Sequence, residues 1–150
     1  SDRLQIIVAE GAAWVANAAE GFDLILVDGF DADGQTAGLE RVRFYQDARK
    51  RLAPGGLFVC NFLSHSSGFL ESCLALDSAF AGRTRLLPKT PGGNVIALGA
   101  VNETVALDEA SLRERAQSLQ DQTGLDLTPL VGRLGTQTDG LPFGLWAELA

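Results

Sequence analysis

The sequence predicts an α/β domain with a mainly parallel sheet that carries an antiparallel hairpin at one edge. Short apolar runs rich in β-branched residues alternate with amphipathic segments of helical period. The run before Asp28 has almost no polar alternation, as in a parallel strand buried on both faces. Two later runs are joined by a connection of hairpin length. With 150 residues, 46% of them hydrophobic, the chain can form one ordinary core, so residues 1–150 are expected to be a single domain.

The first unit of the pattern is strand, turn and helix. Residues 4–8 are apolar and β-branched and are predicted to form a strand, which Ala9, Glu10 and Gly11 close. Residues 12–19 follow as an amphipathic helix.

The second unit repeats this order. Phe22–Val27 is predicted to be a buried strand that ends in an acidic, glycine-containing loop, residues 28–34. Apolar residues then recur every three or four positions over residues 39–52, which predicts a helix. Pro54, Gly55 and Gly56 end it before a third strand, residues 57–62.

The remaining elements are a helix, a hairpin and a second helix. Residues 67–80 are predicted to be helical, and residues 84–87 and 94–101 to be antiparallel strands. Residues 108–122 form a further predicted helix that Gly124 ends. The rest of the chain is expected to be irregular, apart from a short helix over residues 128–134.

Composition excludes several classes of function. Twelve Lys and Arg against 19 Asp and Glu give a net charge of −7, the wrong sign for binding nucleic acid. No apolar run approaches the roughly 20 residues that cross a bilayer, and no leader of the secretory kind is recognisable. Cys60 and Cys73 are too few for a disulfide scaffold or a metal site, which indicates reduced thiols in the cytoplasm. The chain contains no Met and is expected to be a fragment of a longer protein.

Ligands of such sheets bind beyond the carboxyl ends of the strands. This rule selects three places on one rim: Glu10 with Gly11, residues 28–34, and residues 61–66. We therefore expect the functional site among these segments.

The acidic loop offers two kinds of chemistry. Asp28, Asp31 and Asp33 can raise one another's pKa until one serves as a general base, or they can hold a cation. The alternative is that Asp28 caps a turn and the other two are solvated. Glu10 can accept hydrogen bonds from a ribose or an amine while Gly11 admits a flat ring, but the pair also fits an ordinary helix start.

The third place carries Asn61, Ser64 and His65, which can line the same pocket. His65 is the only histidine, and no acid is placed by sequence to orient it, so a Ser/His hydrolase is not expected. The sequence predicts no metal site.

Several segments resemble the spermidine synthase family of aminopropyltransferases, which have the Rossmann-like class I S-adenosylmethionine methyltransferase fold. They are residues 2–11, the strand with its Asp-x-x-Asp loop at residues 22–31, Phe44 with Tyr45, and the Leu-x-Pro-Gly-Gly segment at residues 52–61. The resemblance covers about residues 2–101 and corresponds to the carboxyl-side half of the family. It implies the methyltransferase fold without its first two strands.

The resemblance also implies roles for individual residues. Asp28 matches the proton acceptor, and Asp31 matches the second carboxylate, which helps hold the diamine. Glu10, with Gly11 beside it, stands where the family has an Asp on the adenine side of the nucleoside. Thr90 replaces a substrate-contacting Tyr. The implied reaction is attack by a neutral amine on the propyl carbon beside the sulfonium of decarboxylated S-adenosylmethionine.

Three functions stay open at this point. The first is the aminopropyl transferase, inactive as the fragment alone because the family's glycine-rich loop would precede Ser1. The second is a methyltransferase that uses S-adenosylmethionine, and the third is a noncatalytic interaction domain on the same scaffold. The missing strands also predict a homodimer or a rearranged sheet edge.

Overall fold

A computed structural model describes residues 4–19, 21–29, 42–87, 89–102 and 109–134. The predictions for Asp31, Asp33 and residues 135–150 lie outside these ranges. The described elements are, in chain order, α1 (Gly11–Asn17), β1 (Phe22–Val27), α2 (Val42–Arg51), β2 (Leu52–Leu63), α3 (Phe69–Ala79), β3 (Thr84–Leu86), β4 (Asn94–Ala100), α4 (Glu109–Thr123) and α5 (Thr128–Leu134). The α/β class is confirmed, and so are the predicted elements from α1 to α5 in their order.

The described strands form one sheet of four in the order β1-β2-β4-β3. β1 pairs with β2 in parallel, and β4 pairs antiparallel with both β2 and β3. Three strands therefore run in one direction and β4 runs against them. The sheet is mixed, and the β3–β4 hairpin lies at its edge as predicted.

The strand predicted at residues 4–8 is wrong. These residues adopt no regular structure, and the side chains of Ile6 and Val8 are 81% and 99% exposed. An extended segment becomes a strand only when a neighbour takes up its backbone hydrogen bonds, and residues 4–8 pair with none of the four described strands. Apolar, β-branched composition was therefore not enough to form a strand here.

The core lies on one face of the sheet. Every second side chain of β2 points toward this face, namely Phe58, Cys60 and Phe62. The residues of β4 that pair with these three are buried beside them: Gly99, Ala97 and Val95. Helices α2 and α3 cover the face with a second set of buried side chains: Phe44, Tyr45, Ala48, Phe69, Cys73, Leu76 and Ala79.

Aromatic rings fill the centre of this core. The Phe58 ring centroid lies 5.8 Å from that of Tyr45 and 5.5 Å from that of Phe80. A Cβ on Gly99 would stand 2.8 Å from the Phe80 ring, so the ring occupies space that only glycine leaves. The close packing fixes β4 against α3 and, through β4, the position of β2.

The opposite face is more open, so the prediction that Phe22–Val27 is buried on both faces is wrong. Leu24 and Leu26 of β1 are 54% and 67% exposed, and Val59 and Asn61 of β2 are half-buried on the same side. This face carries the residues of the predicted site. None of the helices within the described ranges combines the length and apolar character that crossing a membrane requires.

The junction between α2 and β2 differs from its prediction. We expected a loop at residues 54–56 before the strand, but β2 begins at Leu52, directly after α2. Phe22 pairs with Leu52, whereas Leu24 pairs with Leu57, so residues 53–56 form an irregular bulge. A Cβ on Gly56 would lie 2.8 Å from the carbonyl oxygen of Phe22, and this close approach of two backbones requires glycine.

Candidate functional site

The register of β1 and β2 places Asp28 beside Asn61. Val27 pairs with Cys60, and one residue further along both strands the Asn61 Nδ2 donates a hydrogen bond of 3.0 Å to Asp28 Oδ1. Asp28 is exposed and directly follows the last residue of β1. The structure therefore brings together two of the three places on the rim, as the sequence predicted.

Asn61 also connects to the neighbouring strand on its other side. Its Nδ2 donates a second hydrogen bond, of 3.2 Å, to the Oδ1 of Asn94, the first residue of β4. The Oδ1 of Asn61 is buried and accepts no hydrogen bond in the described part of the chain. One amide group thus links three neighbouring strands at the edge where β1 and β2 end.

The turn before β4 packs against the end of β2. The Ser64 N–H donates to the Gly93 carbonyl oxygen at 2.8 Å, and the Gly93 N–H donates to the Thr90 carbonyl oxygen at 2.9 Å. Gly93 has φ +86°, and a Cβ there would lie 2.9 Å from His65 Nδ1. Ser64, His65 and Thr90 therefore stand together on the rim, although none of them hydrogen-bonds Asp28 in the part of the structure that is described.

Glu10 has a different environment from Asp28. It is the N-cap of α1: Oε1 accepts from the Ala12 N–H at 2.9 Å and Oε2 from the Ala13 N–H at 2.7 Å. These two backbone hydrogen bonds, that of Ala12 first, lower the pKa of Glu10, which is fully exposed. Gly11 is the first residue of the helix. The geometry is that of the ordinary helix start, and Glu10 makes no hydrogen bond to Asp28 or Asn61 in the described structure.

The end of α1 is held by α2. The Arg51 Nε donates to the Val15 carbonyl oxygen at 3.1 Å, and its Nη2 donates to the Ala16 carbonyl oxygen at 2.6 Å. A cation at the last carbonyls of a helix also complements the helix dipole. The position of Glu10 at the opposite end of α1 is therefore tied to the α2–β2 unit.

The two thiols take no part in this site. Burial raises the pKa of both Cys60 and Cys73 to about 12, with the proximity of Cys73 as a smaller cause for Cys60. Both are therefore neutral thiols at physiological pH and poor nucleophiles. Cys60 points into the core, on the face opposite to its neighbour Asn61. Across the described ranges, no three His, Cys, Asp or Glu residues come together as metal ligands would.

Sequence reasoning missed the part that Asn94 plays. The sequence predicts Asn94 only as the start of a strand, whereas in the structure its side chain completes the contact between β4 and Asn61. The available signal was the position of Asn94 at the start of the second strand of the predicted hairpin. The register pairs Asn94 with Leu63, but the order of the strands was needed to know that β4 lies next to β2.

No protein-family model matches the chain. The polyamine aminopropyltransferase of Chromobacterium violaceum is 34% identical over 134 residues, which cover 89% of this chain and 51% of that protein. The polyamine aminopropyltransferase of Neisseria meningitidis is 31% identical over 133 residues, again covering 89% of this chain and 51% of the relative. The chain is a homologue of the polyamine aminopropyltransferases. It spans about half the length of these curated relatives.

Solved structures place the chain in the predicted fold class. A spermidine synthase in complex with the transition state analogue AdoDATO has a TM-score of 0.57 at 22% identity, covering 67% of this chain and 38% of that one. Human methyltransferase-like protein 13 in complex with SAH has a TM-score of 0.64 at 21% identity, covering 81% and 60%. The fold is thus a partial Rossmann-like one, of the type found in spermidine synthases and methyltransferases.

Proposed function

We propose that the full-length polypeptide transfers an aminopropyl group from decarboxylated S-adenosylmethionine to a polyamine acceptor, with Asp28 as the proton acceptor. The observation that carries this proposal is the exposed Asp28 carboxylate, held by Asn61 at the end of a parallel strand pair. Homology to the polyamine aminopropyltransferases supports it. A net charge of −7 also favours a cationic acceptor.

The chemistry requires a proton acceptor at this place. An amine that carries its proton has no lone pair, so it attacks the propyl carbon beside the sulfonium only after it has lost that proton. As the new C–N bond forms, the C–S bond breaks and methylthioadenosine leaves with the electron pair. Asp28 accepts the proton released from the amine nitrogen.

The remaining binding residues follow the family resemblance. We assign Asp31 to the diamine, and Glu10 with Gly11 to the nucleoside. Each carboxylate oxygen of Glu10 already accepts one backbone N–H and keeps a second lone pair for a ligand hydroxyl or amine. Support for an S-adenosyl nucleoside comes from the AdoDATO and SAH complexes of the two structural neighbours.

The test is turnover of decarboxylated S-adenosylmethionine by the full-length polypeptide with a panel of diamines, measured as methylthioadenosine. Asp28→Asn should lower kcat by about 10²- to 10⁴-fold, the range typical of a general base, with nucleoside affinity largely retained. Asp23→Asn is the matched control, because Asp23 is an exposed carboxylate on the same strand. Equal turnover by the two variants would remove Asp28 from the mechanism.

The likeness to methyltransferase-like protein 13 supports a second candidate, a methyltransferase on the same scaffold. Its donor would be S-adenosylmethionine and its product S-adenosylhomocysteine, so the assay repeated with S-adenosylmethionine in place of the decarboxylated donor separates the two enzymes. Formation of neither product, whichever amine is offered, would leave the noncatalytic interaction domain.

We also propose that residues 1–150 form one domain, that the protein resides in the cytoplasm, and that two copies associate at the open edge of β1. Support for association comes from the exposed Leu24 and Leu26 on β1 and from residues 4–8, which are exposed and pair with none of the described strands. Sedimentation equilibrium checks it, and a monomer in concentrated solution contradicts it.

A further inference from the structure

The Asn61 side chain is oriented at a cost. Its two N–H groups face Asp28 and Asn94, and this leaves Oδ1 buried without a hydrogen bond in the described structure. A buried acceptor without a partner is unfavourable, because it has lost its hydrogen bonds to water and gained none in the protein. Rotating the amide by 180° would exchange Nδ2 and Oδ1, but it would then direct an oxygen at the Asp28 carboxylate. The observed orientation is therefore the one that Asp28 requires.

Asn94 is fixed from the other side by the turn that precedes it. Its backbone N–H donates to Thr90 Oγ1 at 3.1 Å, and its carbonyl oxygen accepts from the Thr90 N–H at 2.9 Å. The same turn is bonded to Ser64 through the Gly93 carbonyl. A continuous set of hydrogen bonds thus runs from Thr90 through Asn94 and Asn61 to Asp28.

We propose that Asn61 and Asn94 are positioning residues, through which the turn at residues 90–93 sets the orientation of the Asp28 carboxylate. This inference rests on the proposed function of Asp28. Asn61 holds Oδ1 of the carboxylate and so restricts the rotation of the carboxylate group. Asn94 does not hydrogen-bond Asp28 and acts on it only through Asn61.

The first experiment needs no enzymatic activity. In the 150-residue chain, the ¹H and ¹⁵N signals of the Asn61 side-chain amide should shift on Asp28→Asn and again on Asn94→Ala. Asn102→Ala is the matched control, because Asn102 is exposed beyond the end of β4 and should leave these signals unchanged. The proposal is overturned if neither Asp28→Asn nor Asn94→Ala shifts the Asn61 signals.

The second experiment separates positioning from a structural role. In the full-length polypeptide, Asn94→Ala should lower kcat by up to about tenfold, the worth of one ordinary hydrogen bond. The KM for the amine should change less than twofold. In an Asn61→Ala background the same Asn94→Ala change should have no further effect on kcat, because the connection is already broken. Additive effects of the two variants, or an unchanged kcat, would overturn the proposal.

The two proposals fail in different ways. If the wild-type polypeptide transfers no aminopropyl group, the proposed function fails by itself, and the amide signals still decide whether Asn61 and Asn94 hold Asp28. If Asp28→Asn abolishes transfer while Asn94→Ala leaves it intact, the function stands and the positioning role is refuted.

Discussion

Residues 4–10 and residues 22–28 have the same kind of sequence: an apolar, β-branched run that ends at a carboxylate. The second run pairs with β2 and becomes β1, so Asp28 meets the side chain of a neighbouring strand. The first run has no neighbouring strand in the described structure, and Glu10 is satisfied by the backbone of its own helix. A carboxylate that follows an apolar run therefore joins a site built from several strands only when an adjacent strand supplies its hydrogen-bond donor.

The largest effect should come from the core beneath β2, because it fixes the strand that partners Asp28. Phe58→Ala removes a fully buried ring that contacts Phe44, Tyr45 and Phe80. We expect a loss of about 3–5 kcal/mol in the free energy of unfolding, measured in urea. Leu26→Ala, on the open face of β1, should cost less than about 0.5 kcal/mol. Equal losses would mean that the two faces of the sheet are equally packed.

A smaller effect should come from the bulge that aligns β1 with β2. In Gly56→Ala the new Cβ meets two backbone oxygens, those of Phe22 at 2.8 Å and Ala53 at 3.0 Å, which cannot move aside without shifting a strand. We expect a loss of about 1–3 kcal/mol, together with a shift of the Asn61 side-chain amide signals.

Gly68→Ala is the control for the bulge variant. It places a Cβ in open space at an ordinary φ of −93° and should cost less. If Gly56→Ala proves as harmless as Gly68→Ala, the bulge does not set the register.

The smallest effect should come from Glu10, because it concerns only the first turn of α1. In Glu10→Ala the amides of Ala12 and Ala13 should exchange several-fold faster with solvent, with little change in global unfolding. Glu114→Ala removes an exposed carboxylate from the middle of α4 and should leave these two amides unchanged. Exchange that is unaffected by Glu10→Ala would show that the cap is not formed.

The same cap should depend on pH in a defined direction. Backbone hydrogen bonds lower the pKa of Glu10 in the folded protein relative to the unfolded chain. The stabilisation is therefore complete above the unfolded pKa, about 4.3, and is lost as the pH falls through the lower folded pKa. The amide proton shifts of Ala12 and Ala13 should follow this titration in the wild type and not in Glu10→Ala.

How far the sequence predicted the structure depends on the range of the interactions involved. Phe22–Val27 could be identified as a strand, and Gly124 as the end of α4, because period and turn chemistry are local. The prediction that both faces of β1 are buried was wrong, because burial depends on what packs against the sheet. The contact of Asp28 with Asn61 could be anticipated from the rule about strand ends. The strand predicted at residues 4–8 was wrong because composition carries no information on whether a neighbouring strand is present. The contribution of Asn94 required the order of the strands.

The bulge at residues 53–56 determines where the chain between α2 and the rim tolerates a change of length. Cys60 and Asn61 are adjacent, yet one faces the aromatic core and the other faces Asp28. An insertion of one residue between Leu57 and Cys60 would exchange the faces to which the Cys60 and Asn61 side chains point. It would place an amide among the aromatic rings and a thiol on the rim. An insertion within the bulge can be absorbed as a larger loop before the paired part of β2 begins. Natural length variation in homologues should therefore concentrate in residues 53–56 and be absent from residues 57–61.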